Sequence, residues 1–451
     1  MTGGGFAARS AKRIASVFST DLLVLGFGLV NTVLATRLLG PSGRGVVVLA
    51  LNVATVVQTI STLGLPWALN YFAARDRDDA RSRGHVAWLV VRFAPMLMAC
   101  WAASYLVVYF LRDTSALKGM SPVVVALSGA FSVLLLVKQM QTSFLAGLHD
   151  FRRRNIVWVT TPGVVAALLV GNLALGLHLT PALVLWMNVI GATIASSFGF
   201  YALVVRHGAG PARLESGPPA REFLSYGTKF YIGLIAQTLN YRLDAFLVNA
   251  MLGVRELGLY ATAVSVTELL LLVPTAVNVV MYPTISNLKG EQRDRVTLLS
   301  TGATLYVIVA LGVVWMAIAG AVIPWVFGPK FVGSVVPALW LVPGMAAIAV
   351  VRVLCHAAAG AGHPEVLTYT TLAGLAFTVP LDLALIPHFG IAGAAIASTI
   401  AYGASAIMAV RLYAGITGCG AASVWGRMLV GPVQRTSAAV KSWQTRGDTI
   451  G

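Results

Sequence analysis

Charge is scarce in this 451-residue chain: Asp, Glu, Lys and Arg make up 11% of it, and acidic residues number only 16. A soluble domain carries about 25% charged residues, so a soluble enzyme and a disordered, solvated chain are both excluded. Cysteine is nearly absent. Cys100, Cys355 and Cys419 are an odd set of three, which supports neither a disulfide framework nor a metal site. Cys355-His356 reads as packing. No phosphate-binding P-loop, no HExxH and no GxSxG occurs, and no polar stretch between apolar runs is long enough for a folded catalytic domain. Asp76-Arg77-Asp78 has the form of a glycosyltransferase metal triplet. It lies among Arg75, Arg81 and Arg83 in a short segment, and reads as a solvated mixed-charge loop. These absences leave no catalytic residue, cofactor or metal to assign, and the chain is expected not to be an enzyme.

What is abundant is apolar sequence: 57% of residues are hydrophobic and the mean hydropathy is +0.81. Single cores stop growing at roughly 250–300 residues, so this excess points to lipid. Twelve apolar runs fall at about 16–39, 46–69, 86–111, 121–145, 156–179, 183–205, 226–252, 257–281, 298–327, 335–359, 367–386 and 391–413. Each is long enough for a membrane helix of about 20 residues. With the N-terminus inside, 21 of the 32 Lys and Arg residues fall in cytoplasmic segments, six on the opposite side and five within spans. The net charge of +16 is therefore a positive-inside signal rather than a nucleic-acid footprint. The first apolar run, behind Arg9, Lys12 and Arg13, continues to Leu39 and is expected to be a retained span rather than a signal peptide. The tail from Ala414 carries Trp425, Met428, Leu429 and Val433 among Arg427 and Arg435, a composition that fits either a membrane-surface helix or disorder.

The longest polar stretch between spans, Arg206 to Glu222, falls where six runs end and six begin. Landmarks recur across it. Leu39-Gly40 with Gly45 returns as Leu252-Gly253 with Gly258, an offset of 213. Lys138 and His149 return as Arg352 and His363, at 214. Asn172-Leu-Ala-Leu returns as Asp382-Leu-Ala-Leu at 210, and GATIASS at 191–197 as GAAIAST at 393–399, at 202. The expected organisation is a cytoplasmic N-terminus (1–15), a six-helix bundle (16–205), a cytoplasmic linker (206–225), a second six-helix bundle (226–413) and a basic tail (414–451). Six is even, so both halves run the same way and their pseudo-two-fold axis lies along the membrane normal, a frame for alternating access.

Polar residues inside the spans carry the candidate chemistry, because charge in the bilayer centre costs about 2.5–3.5 kcal/mol and usually faces a cavity or partner. Lys138 lies well inside span 4, with Ser128, Ser132, Gln139 and Thr142 near one side of that helix. Arg352 holds the equivalent place on span 10, with His356 one turn on. Both either snorkel to the interface or clamp an anion, one from each half. Span 7 sets Gln237, Tyr241 and Asp244 on one stripe and Thr238 with Arg242 on another; span 8 lines up Ser265, Glu268 and Thr275, and span 11 Thr371, Gly374, Thr378 and Asp382. In the first half the counterparts of Asp244 and Asp382 are Asn31 and Asn172. Buried carboxylates are thus concentrated in the second half, where they either couple transport to a proton or cation or pair structurally with Arg242. Arg37 and Arg44 flank the turn between spans 1 and 2, as interfacial anchors or substrate contacts. The substrate-binding candidates are Lys138, Arg352, Arg242, Arg37 and Asn31; the ion-coupling candidates are Asp244, Glu268 and Asp382.

Three segments carry a resemblance. LATRLLGPSGRG after span 1, YRLDAFLVNAMLGVRELGLYATAVSV over spans 7–8, and AGHPEVLTYTTLAGLAFTVPLDLALIPHFGIAGAAIAST over spans 11–12 resemble the signatures of the polysaccharide flippases in the multidrug/oligosaccharidyl-lipid/polysaccharide exporter superfamily. The likeness runs over roughly 10–413, and Asp244 matches its pattern most directly. The resemblance implies an all-α polytopic membrane protein, two pseudo-symmetric six-helix bundles forming a V-shaped transporter. It also implies a flippase for an undecaprenyl-pyrophosphate-linked oligosaccharide of surface polysaccharide biosynthesis, with a basic cavity for the pyrophosphate. The expected partners are that lipid-linked oligosaccharide, membrane lipid and a polysaccharide polymerase or chain-length regulator, in a prokaryotic cytoplasmic membrane with both termini inside. Three readings compete. A cationic multidrug antiporter needs cleft carboxylates that the first half nearly lacks. A lipid II flippase is disfavoured by the few charges on spans 1 and 2. A membrane-embedded polymerase or glycosyltransferase needs larger outward loops.

Overall fold

The computed structural model describes residues 3–75, 80–206, 219–288 and 290–431. The Asp76-Arg77-Asp78 triplet, most of the 206–225 linker and the tail beyond 431 lie outside the described residues. Lipid offers the backbone no hydrogen bonds, so an apolar chain must satisfy itself within helices or a closed barrel. Here it does so with helices, and no strand occurs among the described residues. The helices are α1 (Gly3–Ser61), α2 (Leu65–Arg75), α3 (Ala80–Leu111), α4 (Pro122–Gly147), α5 (Phe151–Ala174), α6 (Pro181–Tyr201), α7 (Ala220–Leu252), α8 (Val254–Thr267), α9 (Leu272–Asn287), α10 (Gly290–Phe327), α11 (Val335–Gly360) and α12 (Glu365–Thr417).

Nine helical stretches among the described residues are long and apolar enough to cross a membrane. Two of them, Ser19–Ser61 and Glu365–Thr417, run 43 and 53 residues. At 1.5 Å per residue that is about two to nearly three times the roughly 30 Å hydrocarbon core. Each is interrupted by one left-handed glycine, Gly40 (φ 66°, ψ −178°) and Gly390 (φ 58°, ψ −141°). Each is therefore two spans meeting at a glycine rather than at the short loop expected there. With α7, whose charges keep it off the apolar set, the twelve expected spans are all present. Span 8 departs from expectation: a 3₁₀ turn, Glu268–Leu271, separates α8 from α9. Pro274, in the first turn of α9, lacks the N–H that would continue the ladder back to Leu270, which accounts for the break.

The repeat reappears in backbone geometry, with a refinement of register. α4 and α11 both have 26 residues, preceded by Ser121 and Ser334, so their first residues (122 and 335) and last residues (147 and 360) share an offset of 213. The left-handed residue after each is His149 (φ 57°) and Gly362 (φ 94°), again 213 apart. Gly40 and Gly253 (φ 91°) form a third such pair. In this register Lys138 falls on Val351, and Arg352 stands one residue, about 100°, further round its helix.

By compactness the chain divides into two units, Met1–Thr262 with Ile323–Gly333, and Ala263–Val322 with Ser334–Gly451. In the first unit, Leu65, Leu69 and Phe72 of α2 pack with Leu89 of α3, Phe144 of α4 and Phe223 of α7. In the second, α11 runs along α12, close enough that a Cβ on Gly344 would stand 2.8 Å from Thr399 Oγ1. Residues 421–431 are helical and lie on α10: Val424 and Met428 are fully buried, and the Tyr306 hydroxyl donates to the Leu429 carbonyl.

Within the first unit the turn between α7 and α8 sits in a socket. A Cβ on Gly45 would enter the Val254 carbonyl, and one on Gly258 would enter the Pro41 carbonyl. These two contacts exchange under the 213 offset, as a two-fold relation between equivalent turns requires. A Cβ on Gly119 would lie 3.3 Å from Val254 Cβ. Asn249 Nδ2 donates toward the carbonyls of Ser115, Ala116 and Lys118 at 3.4, 2.9 and 3.2 Å. Asn249→Ala would remove the amide that ties α7 to this turn, chiefly through the Ala116 carbonyl, at about 0.5–1.5 kcal/mol. Thermal unfolding of the purified protein should show a lower Tm, and an unchanged Tm would mean the turn is held elsewhere.

Candidate functional site

α4 starts cleanly: the Ser121 side chain accepts the Val124 N–H, and proline fills the first helical position. Its polar stripe is largely consumed by packing. Ser128 and Ser132 donate to the carbonyls of Val125 and Gly129, Thr142 Oγ1 donates to the Lys138 carbonyl at 2.9 Å, and Trp101 Nε1 donates to Ser132 Oγ at 2.8 Å; off that stripe, Gln141 Nε2 donates to the Ser196 carbonyl at 2.9 Å. Lys138 differs. It is only 9% exposed, and its ammonium donates to Thr161 Oγ1 at 3.3 Å and lies 5.3 Å from the Trp158 ring centroid. Among the described residues no carboxylate stands within ion-pair distance of it. The position is inside the helix bundle.

α5 supplies the rest of this pocket. Asp150 caps it, accepting the Arg153 N–H at 3.3 Å and pairing with the Arg153 guanidinium. That cap sets the helix phase so that Arg154, Trp158 and Thr161 fall at i, i+4 and i+7 on one face. Arg154 Cζ lies 5.8 Å from the same Trp158 centroid, and its Nη1 donates to Asn155 Oδ1 at 3.2 Å. Asp21 of α1 acts on Arg154 at Coulombic range. Pro162 leaves the Trp158 carbonyl without its helical donor, and its own carbonyl accepts from Asn31 Nδ2 at 3.0 Å. Asn31 thus packs α1 onto α5 near the pocket. Sequence reasoning missed Arg154, Trp158 and Thr161. The i, i+4, i+7 spacing is present in the sequence, but Arg154 lies before the apolar run at 156–179 and counts there as a loop cation.

The other candidates are dispersed. Arg37 Nη2 donates to the Trp325 carbonyl at 3.2 Å, an exposed anchor on the end of α10. Asp244 is buried on α7, where Oδ2 accepts from the Tyr260 hydroxyl at 2.6 Å and Oδ1 from the Ala245 N–H at 2.7 Å. Its two bonds therefore go to neutral donors, and Arg242, half-buried two residues away, acts on it only through the field. In the second unit Arg352 is half-buried, and its carbonyl accepts from His356 Nδ1 at 2.6 Å. That proton fixes the tautomer, so the 3.4 Å approach of Asn278 Nδ2 to the same nitrogen is a contact, not a second bond. Glu268 is exposed at the start of the 3₁₀ turn, whereas Asp382 is completely buried in α12.

Residues 10–289 match the model of the family described as polysaccharide biosynthesis protein. A curated protein, the probable flippase AglR of Haloferax volcanii, is 27% identical over 176 residues, 38% of this chain and 37% of AglR. The chain thus spans little more than a third of that relative's length. Among solved structures, the lipid II flippase MurJ in an inward closed conformation has a TM-score of 0.70 at 12% identity, covering 92% of this chain and 90% of MurJ. An inward-facing multidrug resistance MATE family transporter of the MOP superfamily gives 0.68 at 16% identity, covering 92% and 96%. The fold is therefore the one these transporters share, and with well over half of its length matched, the chain belongs to the polysaccharide biosynthesis protein family.

Proposed function

We propose that this protein is a flippase that carries an undecaprenyl-pyrophosphate-linked oligosaccharide across the cytoplasmic membrane for a surface polysaccharide. The observation that carries the reading is Lys138, a buried cation whose described partners are one hydroxyl and one indole face. A membrane charge is kept at such a cost where an anion comes to meet it. Family membership and the flippase relative support a lipid-linked sugar as the source of that anion, its phosphate. The polyprenyl tail stays in lipid while the head group crosses between two packings of the halves, 16–205 and 226–413. Arg352 offers the second half's cation, and Asp244 is the first choice for coupling, with Glu268 and Asp382 behind it. The positive-inside distribution supports cytoplasmic termini and loops, where a polymerase or chain-length regulator would dock.

Proteoliposomes carrying a fluorescent undecaprenyl-pyrophosphate oligosaccharide test the reading. Wild type should move the head group across the bilayer. Lys138→Ala should cut the rate at least about tenfold, the loss of one charge-assisted contact, and Lys138→Glu should abolish it. Arg352→Ala should have the smaller effect, because in the helix register it is not the strict equivalent of Lys138. Translocation unaffected in all variants would discard the site. No translocation by wild type, with efflux of a cationic drug from the same vesicles, would replace the flippase by an antiporter.

A further inference from the structure

Span 2 is broken near its second end. Its helix stops at Ser61 and resumes as α2 at Leu65, and between them Leu63 (φ 48°) and Gly64 (φ 72°) are both left-handed. Glycine adopts that region freely, whereas leucine does so at a cost. Pro66 has no N–H to return to the Thr62 carbonyl, yet proline does not impose this geometry: Pro95, Pro162 and Pro343 lie inside the continuous helices α3, α5 and α11. Nor does the repeat impose it. Ala276 and Val277, which the 213 offset sets on Leu63 and Gly64, are helical in α9.

The break is held by α7. The Gly64 N–H turns to Thr62 Oγ1 at 3.4 Å, away from the Ile60 carbonyl that a continuous helix would give it. The Tyr231 hydroxyl of α7 donates to that freed carbonyl instead, with the Cys100 thiol of α3 at 3.6 Å. A Cβ on Gly64 would stand 2.0 Å from the Gly227 carbonyl oxygen. Beyond the break α2 and α7 lie side by side. Tyr71 stacks on Tyr226 with ring centroids 4.4 Å apart, Phe72 meets Phe223 at 5.6 Å, and Arg75 Nη1 lies 3.5 Å from Glu222 Oε1.

We propose that Leu63-Gly64 is a switching hinge and Tyr231 its latch, so that the seam between α2 and α7 is a gate. With Tyr231 on the Ile60 carbonyl the seam is shut and Leu63 is strained. When Tyr231 withdraws, the Gly64 N–H returns to Ile60, Leu63 becomes right-handed and α2 swings away from α7. Each state gives up what the other gains, a hydrogen bond and ring contacts against a relaxed backbone, which makes the element two-state. The inference deepens the flippase reading and rests on it: the seam joins span 2 of one half to span 7 of the other, and its opening admits a lipid-borne head group sideways while the chain stays in lipid.

Nitroxides on Ala74→Cys and Ser225→Cys, both exposed positions of α2 and α7, read the seam by dipolar electron paramagnetic resonance. The host is the full-length protein in lipid nanodiscs, with Cys100, Cys355 and Cys419 replaced by serine. A near and a far population are expected. Tyr231→Phe should raise the far-to-near ratio about threefold or more, the worth of one hydrogen bond. Leu63→Gly should lower it about fivefold or more, the cost of a left-handed leucine. If Tyr231→Phe does not fold, Leu63→Gly alone decides the hinge. In proteoliposomes, a disulfide between Tyr71→Cys and Tyr226→Cys should stop head-group translocation, and reductant should restore it. A ratio that neither variant moves, or translocation that continues with the disulfide closed, would overturn the gate and leave the flippase standing. Ratios that shift as expected in a protein whose wild type moves no head group would keep the hinge and overturn the flippase reading.

Discussion

Replacing Gly258 by leucine should abolish translocation, and Gly258→Ala should already lower the Tm. Gly258 lies in α8, where a Cβ would enter the Pro41 carbonyl. The obstructing atom is backbone, so no rotamer change can relieve the overlap. Overpacking of this kind costs about 1–3 kcal/mol for a methyl group and more for an isobutyl group. Helix propensity runs the other way, since alanine is about 0.8–1.0 kcal/mol better than glycine inside a helix. A loss on Gly258→Ala therefore sets a lower bound on the cost of the close approach. Gly171 in α5 is the control: nothing stands within 4 Å of the Cβ it would gain, so Gly171→Ala should leave the Tm unchanged or raise it. Gly45→Leu should match Gly258→Leu, because the two contacts are exchanged by the repeat. Thermal unfolding combined with the proteoliposome assay reads both quantities, and wild-type values for Gly258→Ala would show that the turn is loosely seated.

The number of spans and the tandem repeat were legible in the sequence because each is a long-range average over many residues. Register was not. The anchors Lys138/Arg352 and His149/His363 suggested 214, whereas helix ends and left-handed residues place the offset at 213. One residue is a small error along a chain but about 100° around a helix. It separates a buried Lys138 from a half-buried Arg352. Partners were equally hidden. Thr161 lies 23 residues from Lys138, and Trp325 lies 288 from Arg37, so neither follows from a local pattern. Arg154 was misplaced for a related reason: a cation near a helix end looks like a loop charge until the Asp150 cap fixes where the helix starts. Glu268 seemed to share a stripe with Ser265 and Thr275, and the 3₁₀ turn removes the common helical phase on which that stripe relied.

Asp244→Asn should leave the protein folded but uncouple it, whereas Asp244→Val should destabilise it by about 1–3 kcal/mol. The difference follows from the two partners. Tyr260 and the Ala245 N–H are neutral donors, so an asparagine can keep both contacts: its oxygen accepts from the backbone, and its amide donates to a Tyr260 hydroxyl turned to accept. Valine keeps neither. It deprives the buried Tyr260 hydroxyl of its carboxylate acceptor, at about 1–3 kcal/mol, while the Ala245 N–H stays within the ladder of α7. Tyr260→Phe should fall between these, because it removes one donor from a buried carboxylate and leaves the other. Had Asp244 been paired with Arg242, Asp244→Asn would have been the costly change, since an arginine would be left without its counter-charge. Stability and transport therefore separate the roles. Uncoupling in Asp244→Asn at wild-type Tm, seen as translocation that no longer responds to an imposed proton or sodium gradient, would support a carboxylate that changes charge during the cycle. An Asp244→Asn protein that transports and responds like wild type would confine Asp244 to holding α7 against α8, and would pass the coupling role to Asp382, the completely buried carboxylate of α12.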